Sequence, residues 1–465
     1  MAGDRGGDER AQLSFLPREG VDWSRLETTR RVWLEETRGD HAARMEFLAA
    51  QGLRLLMASP VPGVGGTLHF HNPRDGETLH LKAEGGRSLL PEAAPHFPAA
   101  SRWMRMSRAA PEDLPPDVEA SVLLDWEGNL LAVSAGRVLG VLEARMEYPG
   151  AILREVRAAE ACRMLEACGE YEGPARALSC ALACEEARGL RVPPAAAALR
   201  ALLLETARVQ CHLAWMEMAA DCLGRRRTAA ACRGLRGSLE EALSGWLGDP
   251  LGRGWVVPGG VREDFPLAGA AEAAASLQEI SRRWEELSGR VLALRAPRWM
   301  ERRLSGLRDL AGDAALTGPL ARALGMEVDA RAEEAGAYGL LGWEMAVCGS
   351  GRVFGDLVRV KVREVGESLG VACRVLAWPP EPPLEARRGR GGRGEGFGRC
   401  EGPEGEVCCH LALEKGRVRW AAFSFPAEIN RWGAHLLVGL LLDEAELLYL
   451  PWRPATRRPE AGGEA

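Results

Sequence analysis

Apolar residues follow three different patterns along this chain, and each predicts a different kind of structure. After Tyr148 the pattern is almost wholly helical. From Pro193 and Pro194, Leu199, Leu202, Leu203, Val209, Leu213 and Met216 recur near helical spacing through about Cys222. Proline suits the start of this helix because its missing N–H is not needed in the first turn. Residues 237–246, 270–294 and 297–310 continue the pattern, which makes a long helix bundle the economical architecture. Ahead of it, 120–124 and 130–133 read as a hairpin around Glu127, Gly128 and Asn129. Behind it, 378–383 and the Arg/Gly run 387–394 break regular structure. Residues 406–413 and 417–424 then alternate as paired strands, and 429–442 reads as a last helix. Near the N terminus, 30–51 reads as helical, with 60–66 separating helix from strand. Strands follow at 67–71 and 78–82, with a turn at 72–76 between them.

The fold class is therefore α+β, mainly α. Its parts are a poorly structured segment 1–29, a small α/β domain 30–110, a main domain 117–452 and a polar tail 453–465, with a proline-rich linker at 110–116. The chain of 465 residues is too long for one typical core. Its 46% hydrophobic and 27% charged composition is that of a globular protein. A net charge of −6 gives no sign of a nucleic-acid binder or a polybasic membrane anchor. The Arg/Gly run lacks the aromatic platform of an RNA-binding segment and reads as a surface loop. No apolar stretch reaches the ~18 residues of a membrane span, and 1–17 carries no secretory h-region. The twelve cysteines include no C-x-x-C, so they read as thiols in a reducing compartment. Cys180 and Cys184 stand one helical turn apart, and Cys408 and Cys409 would point opposite ways on a strand.

The candidate chemistry lies on the clearest helix. Glu205, Arg208 and His212 are spaced by three and four, so they share one face. An acid, a base and an imidazole in an apolar helix are unusual unless paired or facing a site; a partly solvated face with one salt bridge is the plainer reading. In context the segment resembles the large subunit shared by nickel–iron hydrogenases and respiratory complex I. Leu190-Arg191-Val192-Pro193 leads into Arg200, Glu205, Arg208, His212 and Leu213, and then Asp221 and Gly224. Further landmarks follow that family's order. Glu143, Arg145 and Tyr148 lie in 136–148, and Gly259, Gly260, Val261, Asp264 and Pro266 form a turn. Thr317-Gly318-Pro319 is followed by Asp329. Gly355-Asp356 runs on to Arg363, Glu364, Glu367 and Ser368, and Glu401 to Glu406 form a loop with Glu404 where arginine is usual. Pro95 to Trp103 resembles the end of the small complex I subunit that is fused ahead of the large one in formate-hydrogenlyase-type hydrogenases.

This resemblance implies a bundle of the hydrogenase large-subunit type, with a β-hairpin at its start, C-terminal strands and the small N-terminal domain. It implies thiolate ligands for nickel and iron, which such a centre selects. Yet the first cysteine pair falls at Gly169 and Glu172, with Cys168 one place away, and the second falls in a C-terminal stretch without cysteine. A nickel–iron centre is therefore not expected, and no cofactor is expected to be bound directly. Complex I uses the vacated cavity for a quinone, and Tyr148 and Tyr171 are the residues here for such a cavity, Tyr171 falling one place off register. The histidine matching His212 stands beside a partner's iron–sulfur cluster, whose potential an imidazole can tune; the plainer reading is a core histidine satisfied within the bundle. The implied role is electron transfer within a membrane-associated oxidoreductase. Its partners would be a small iron–sulfur subunit and antiporter-like membrane subunits, with the chain peripheral on the cytoplasmic face. A quinone-binding catalytic subunit of NADH:quinone type and a purely structural subunit remain open alternatives.

Overall fold

In the computed structural model, residues 31–35, 41–61, 65–72, 77–82, 93, 95–97, 122–126, 129–134, 137–143, 153–311, 316–333, 336–377, 381–386, 393–426 and 436–451 are described. Strand β1 (Arg31–Glu35) and helix α1 (His41–Ala50) open the chain. They are followed by β2 (Arg54–Val61), β3 (Gly65–His71) and β4 (Thr78–Lys82). The order β1-β4-β3-β2, with only β1 and β4 parallel, makes this a small α/β unit. Two expectations change here. Within 30–51 the described residues are a strand, 31–35, and then a helix, 41–50, because the first part holds Val32 and Trp33, which favour strands, while the alanines and Met45 come only after His41. Pro60 and Gly66 sit in paired strands on either side of a hairpin, not between a helix and a strand.

The predicted hairpin is present as β5 (Val122–Trp126) and β6 (Asn129–Ser134), and β7 (Arg137–Glu143) adds a third antiparallel strand. The expected linker at 110–116, Tyr148 and the polar tail lie outside the described residues.

The helical body runs through α2 (Ala158–Ala167), α3 (Gly173–Arg188), α4 (Pro194–Cys222), α5 (Arg226–Leu247) and α6 (Ala270–Leu292). Shorter α7 (Arg298–Leu304), α8 (Gly306–Ala311), α9 (Gly318–Ala323) and α10 (Ala330–Glu333) lead to α11 (Val353–Ala377). Helix α4 starts at the expected prolines and is buried along nearly all its length. A helix apolar on every side belongs in the middle of a core, and α5 and α11 flank it there. Helix α5 begins a full eleven residues before the expected 237.

A three-stranded antiparallel sheet closes the chain: β10 (Gly394–Glu401), β11 (Glu406–Glu414) and β12 (Arg417–Ser424). Between body and sheet, Val256–Val257 (β8) and Gly260–Val261 (β9) form a short ladder. Among the described residues the last helix is α12 (Leu442–Leu448), and the described part of the expected 429–442 helix ahead of it, 436–441, is not α-helical; Asp443 and Glu444 in the first turn of α12 complement the N-terminal dipole. Residues 427–435 lie outside the described residues.

Strand β10 lies between the breaker run, which ends at Gly394, and the first expected C-terminal strand, and its glycines explain why no strand was expected there. Gly394, Gly396 and Gly398 alternate on one face, and α3 lies directly on them. A Cβ at these positions would sit 1.9 Å from the Ala187 oxygen, 2.1 Å from Ala183's and 1.8 Å from Ser179's. The match is geometric. Four helical residues rise about 6 Å and two strand residues about 6.6 Å, so every α3 turn meets a bare strand position. Only glycine permits that approach.

The opposite face of β10 carries Glu395, Phe397 and Arg399, which meet the N-terminal unit. Phe397 stacks on His69, with ring centroids 4.3 Å apart. Arg54 of β2 reaches Glu406 at 2.8 Å and Glu333 at 2.7 Å, and Arg399 pairs with both carboxylates. An imidazole chain joins the same two sheets: His80 Nδ1 to His69 Nδ1 at 2.6 Å, His69 Nε2 to His410 Nδ1 at 3.2 Å, and His410 Nε2 to Glu395 at 2.9 Å. Cys409 lies in the core of the helical body and Cys408 in that of the N-terminal unit, as strand alternation requires.

Two measurements check this account. Gly396→Ala should cost more than about 2 kcal/mol by denaturant titration, because backbone must move to admit one methyl group. Acid should loosen the N-terminal unit first. Burial opposes ionisation of Glu406, yet Arg399 and Arg54 hold its carboxyl at about 2. Its stabilisation is complete above its unfolded value of about 4.3 and is lost as pH falls towards 2. Burial pushes His410 down against the pull of Glu395, with Lys82 adding to the downward shift and Glu186 opposing it. Its neutral form therefore begins to cost stability once pH drops below about 6.5. Hydrogen exchange in β3 should rise on acidification before exchange in α4 does; simultaneous loss would contradict the charge assignment.

Candidate functional site

The polar face predicted on α4 is not solvated. Glu205, Arg208 and His212 each have 0% exposure and sit where α4, α11, α9, α10 and the 401–406 loop converge. Each buried charge there is met. Glu205 Oε2 accepts from Arg208 Nε at 3.1 Å, Arg331 at 3.2 Å and the Ser368 hydroxyl at 2.5 Å, while Tyr338 donates to Oε1 at 2.7 Å. Burial raises the cost of its charge, but Arg208 and Arg331 outweigh it and hold the carboxyl below its ordinary value. Arg208 turns its other nitrogens to the carbonyls of Gly402 at 2.7 Å and Glu401 at 2.8 Å. Arg208, held by Glu205, thus clamps the landmark loop after β10.

A second centre is Glu364 on α11. Arg322 binds its Oε1 at 2.6 Å, and Arg322 also reaches Glu401 at 2.8 Å and Asp329 at 2.9 Å. Burial works against ionised Glu364, yet Arg322, His212 and Arg331 hold its carboxyl well down. Its Oε2 lies 2.7 Å from His212 Nε2. On the other side of the ring, Lys361 Nζ lies 3.3 Å from Nδ1 and donates to both Glu404 oxygens, at 3.0 and 3.1 Å. Burial, and after it the Lys361 ammonium, push the imidazole down to about 4 against the pull of Glu364.

Other sequence landmarks serve the frame. Arg200 pairs with Glu185 and donates to the carbonyls of Val257 at 2.7 Å and Gly260 at 2.9 Å, which pins the 257–261 turn. Gly318 is needed where it stands: at φ +74°, a Cβ would lie 2.2 Å from the Glu404 oxygen. Asp356 accepts from Ser350 at 2.7 Å and from the Gly351 amide at 3.2 Å.

Tyr171 stands apart from these hydrogen bonds. It is 1% exposed, and Arg236 donates to its hydroxyl at 3.3 Å; burial pushes the phenol far up. The register positions of the first thiolate pair do not fit nickel and iron. Gly169 has no donor and faces the Arg176 side chain, Cys168 is exposed, and Glu172 Oε1 accepts the Glu404 amide at 2.7 Å. Glu172 Oε2 is buried without a hydrogen-bond partner, and burial lifts that carboxyl to about 7. Near the C-terminal end, the Leu450 carbonyl accepts from Trp215 at 2.8 Å. Cys211, His212 and Glu404 bring a sulfur, a nitrogen and a carboxylate within 4.8 Å of one another. The Lys361 ammonium already binds two of the three, so the group is a hydrogen-bonded cluster rather than a metal centre.

Sequence reasoning placed Glu205, Arg208 and His212 together but missed Lys361, Arg322 and Arg331. Lys361 carried a signal: it is one of three lysines in a chain that otherwise uses arginine. The two arginines follow the Thr317-Gly318-Pro319 turn closely in the chain but carry no local mark that sets them apart from the many other arginines.

Residues 224–391 match the family described as respiratory-chain NADH dehydrogenase, 49 Kd subunit. The membrane-bound hydrogenase subunit alpha of Pyrococcus furiosus is 28% identical over 262 residues, covering 51% of this chain and 60% of that protein. NADH-quinone oxidoreductase subunit 4 of Thermus thermophilus is 29% identical over 203 residues, covering 43% and 49%. The chain thus matches three-fifths or less of each relative's length. A chain in the structure of the membrane-bound sulfane sulfur reductase, an archaeal respiratory membrane complex, superposes with a TM-score of 0.59 at 20% identity. That superposition covers 73% of this chain and 98% of the other and bears out the hydrogenase-type bundle.

Glu205→Gln should cost about 3–5 kcal/mol in denaturant titration, because Arg208 and Arg331 would keep buried charges without their shared carboxylate. Arg282→Ala, which removes an exposed ion-pair partner on α6, should leave the midpoint unchanged.

Proposed function

From a chain that carries a domain of the respiratory-chain NADH dehydrogenase 49 kDa subunit family, we propose a hydrogenase-like large subunit without a nickel–iron centre. It would work in a membrane-associated oxidoreductase complex, where it positions an imidazole beside an iron–sulfur cluster of a small partner subunit. The observation that carries this reading is a contrast within one site. The charged frame around His212 is complete and fully paired, while the positions for metal-binding thiolates hold Gly169 and Glu172. Keeping several buried ion pairs is costly unless their geometry serves something, since apolar residues would often pack there at lower cost. Among the described residues, no helix is long and apolar enough to cross a membrane. In this reading the chain reaches the membrane through antiporter-like partner subunits, on the cytoplasmic face.

The frame's chemistry suits a fixed electrostatic environment. Arg208, Arg322 and Arg331 stay charged at any working pH, and their carboxylate partners are held in place. A cluster gaining an electron nearby would meet oriented dipoles that need no rearrangement.

One observation favours a second reading, a purely structural subunit: both ring nitrogens of His212 are already engaged within the chain. A quinone role would fall to Tyr171, whose hydroxyl is already bonded to Arg236.

Purification of the assembly through a tag on this chain tests the reading. Iron and acid-labile sulfide should copurify with a small partner subunit, and nickel should stay far below stoichiometric. His212→Gln should leave assembly intact and shift the midpoint potential of the partner's cluster. Stoichiometric nickel on this chain would end the proposal, and an unchanged potential in an intact assembly would leave only the structural role.

A further inference from the structure

An ammonium has three N–H donors and no lone pair. Lys361 Nζ therefore faces the lone pair of His212 Nδ1, 3.3 Å away, and cannot sit opposite a ring N–H. The ring proton is consequently on Nε2, where the Glu364 carboxylate accepts it across 2.7 Å. Lys361 is held in turn by both Glu404 oxygens, and its ammonium lies 5.2 Å from the centre of the Trp215 ring. The ring thus stands between a carboxylate on one side and an ammonium–carboxylate pair on the other.

Every element around the ring contributes a charged or titratable group. Lys361 and Glu364 come from α11, Glu205, Arg208 and the neutral thiol of Cys211 from α4, Arg322 from α9 and Arg331 from α10; Glu404 comes from the loop after β10, with Glu172 against its amide, and Asp329 and Glu401 stand behind Arg322. Glu364 is met by Arg322 and Arg331, which it shares with other carboxylates, whereas Lys361 is the one cation paired with Glu404 among the described residues. If Lys361 were withdrawn, Glu404 would be left facing the imidazole with a thiol, Cys211 Sγ, at 3.1 Å as its other near donor. The ring would then lie between two carboxylates, the arrangement that favours a doubly protonated imidazole.

We propose that Lys361 is a positioning residue that keeps His212 as the neutral Nε2–H tautomer, by supplying the positive charge the ring would otherwise acquire between Glu364 and Glu404. This goes beyond the redox reading. Its consequence for a neighbouring cluster, a constant dipole in place of a titrating charge, rests on that reading; the protonation state itself does not.

Nitrogen-15 NMR of the full chain, labelled at histidine, reads the ring directly, with the His212 signals identified by their loss in His212→Gln. The wild-type ring should give the neutral Nε2–H pattern throughout about pH 6 to 8. Lys361→Met should convert it to the doubly protonated pattern at neutral pH, and Lys361→Arg should keep it neutral. The double variant Lys361→Met/Glu404→Gln removes both charges and should restore the neutral ring. An Nδ1–H tautomer or an imidazolium in the wild-type spectrum overturns the proposal without any variant. A Lys361→Met ring that stays neutral in a protein with native near-ultraviolet circular dichroism overturns it too. Because no partner is needed, a failure here is separate from an unchanged potential in the assembly.

Discussion

A carboxylate sealed from water is tolerated only when cations and donors surround it, and Glu364 shows how much structure that requires. Its two oxygens gather Arg322 from α9, Arg331 from α10 and His212 from α4 onto one helix, α11. Helix α9 packs Leu320 and Ala323 into the core, and the four-residue α10 adds little more than Ala330. Their arginines give them an address, and Arg322 extends it to Asp329 and Glu401. The 401–406 loop is drawn in by the same network through Arg208. The loop in turn positions Glu404, and Glu404 positions Lys361. The middle of the molecule is therefore held by directional contacts laid over the apolar packing of α4 against α5 and α11.

How far this was legible in the sequence differs by element. The long helix α4 announced itself through apolar spacing and a proline start, and its polar triad through intervals of three and four. Both are local signals, and both survived. The Gly394-x-Gly396-x-Gly398 strip was not read as a strand, because glycine lacks the side chain by which strands are usually recognised. Its meaning lay in α3, about two hundred residues earlier in the chain. Residues 30–51 failed for the opposite reason. A short edge strand, 31–35, and a helix, 41–50, share that stretch, and one helical pattern cannot describe both. Arg322 and Arg331 were invisible as site residues, since nothing local says which of many arginines will be enclosed; Lys361 stood out only by the rarity of lysine in this chain.

The family landmarks gain physical content once placed. Arg200 ties the 257–261 turn to α3 through Glu185, Gly318 lets a backbone pass the Glu404 carbonyl, and Ser368 completes Glu205. None of these residues is a catalyst by its geometry; each shapes the path of a neighbouring chain segment. The positions where the resemblance would put the first thiolate pair hold Gly169 and Glu172, whose carboxylate accepts the Glu404 amide and so serves the same framework.

The strip of glycines beneath α3 has an evolutionary side as well. Most interior contacts can drift, because one side chain shrinks while its neighbour grows and the volume is conserved. Where main chain rests on main chain there is no partner to adjust, and compensating pairs of changes are unavailable. Variation in α3 is thereby channelled to its other flank, and the joint with β10 should be among the slowest-changing surfaces of the molecule.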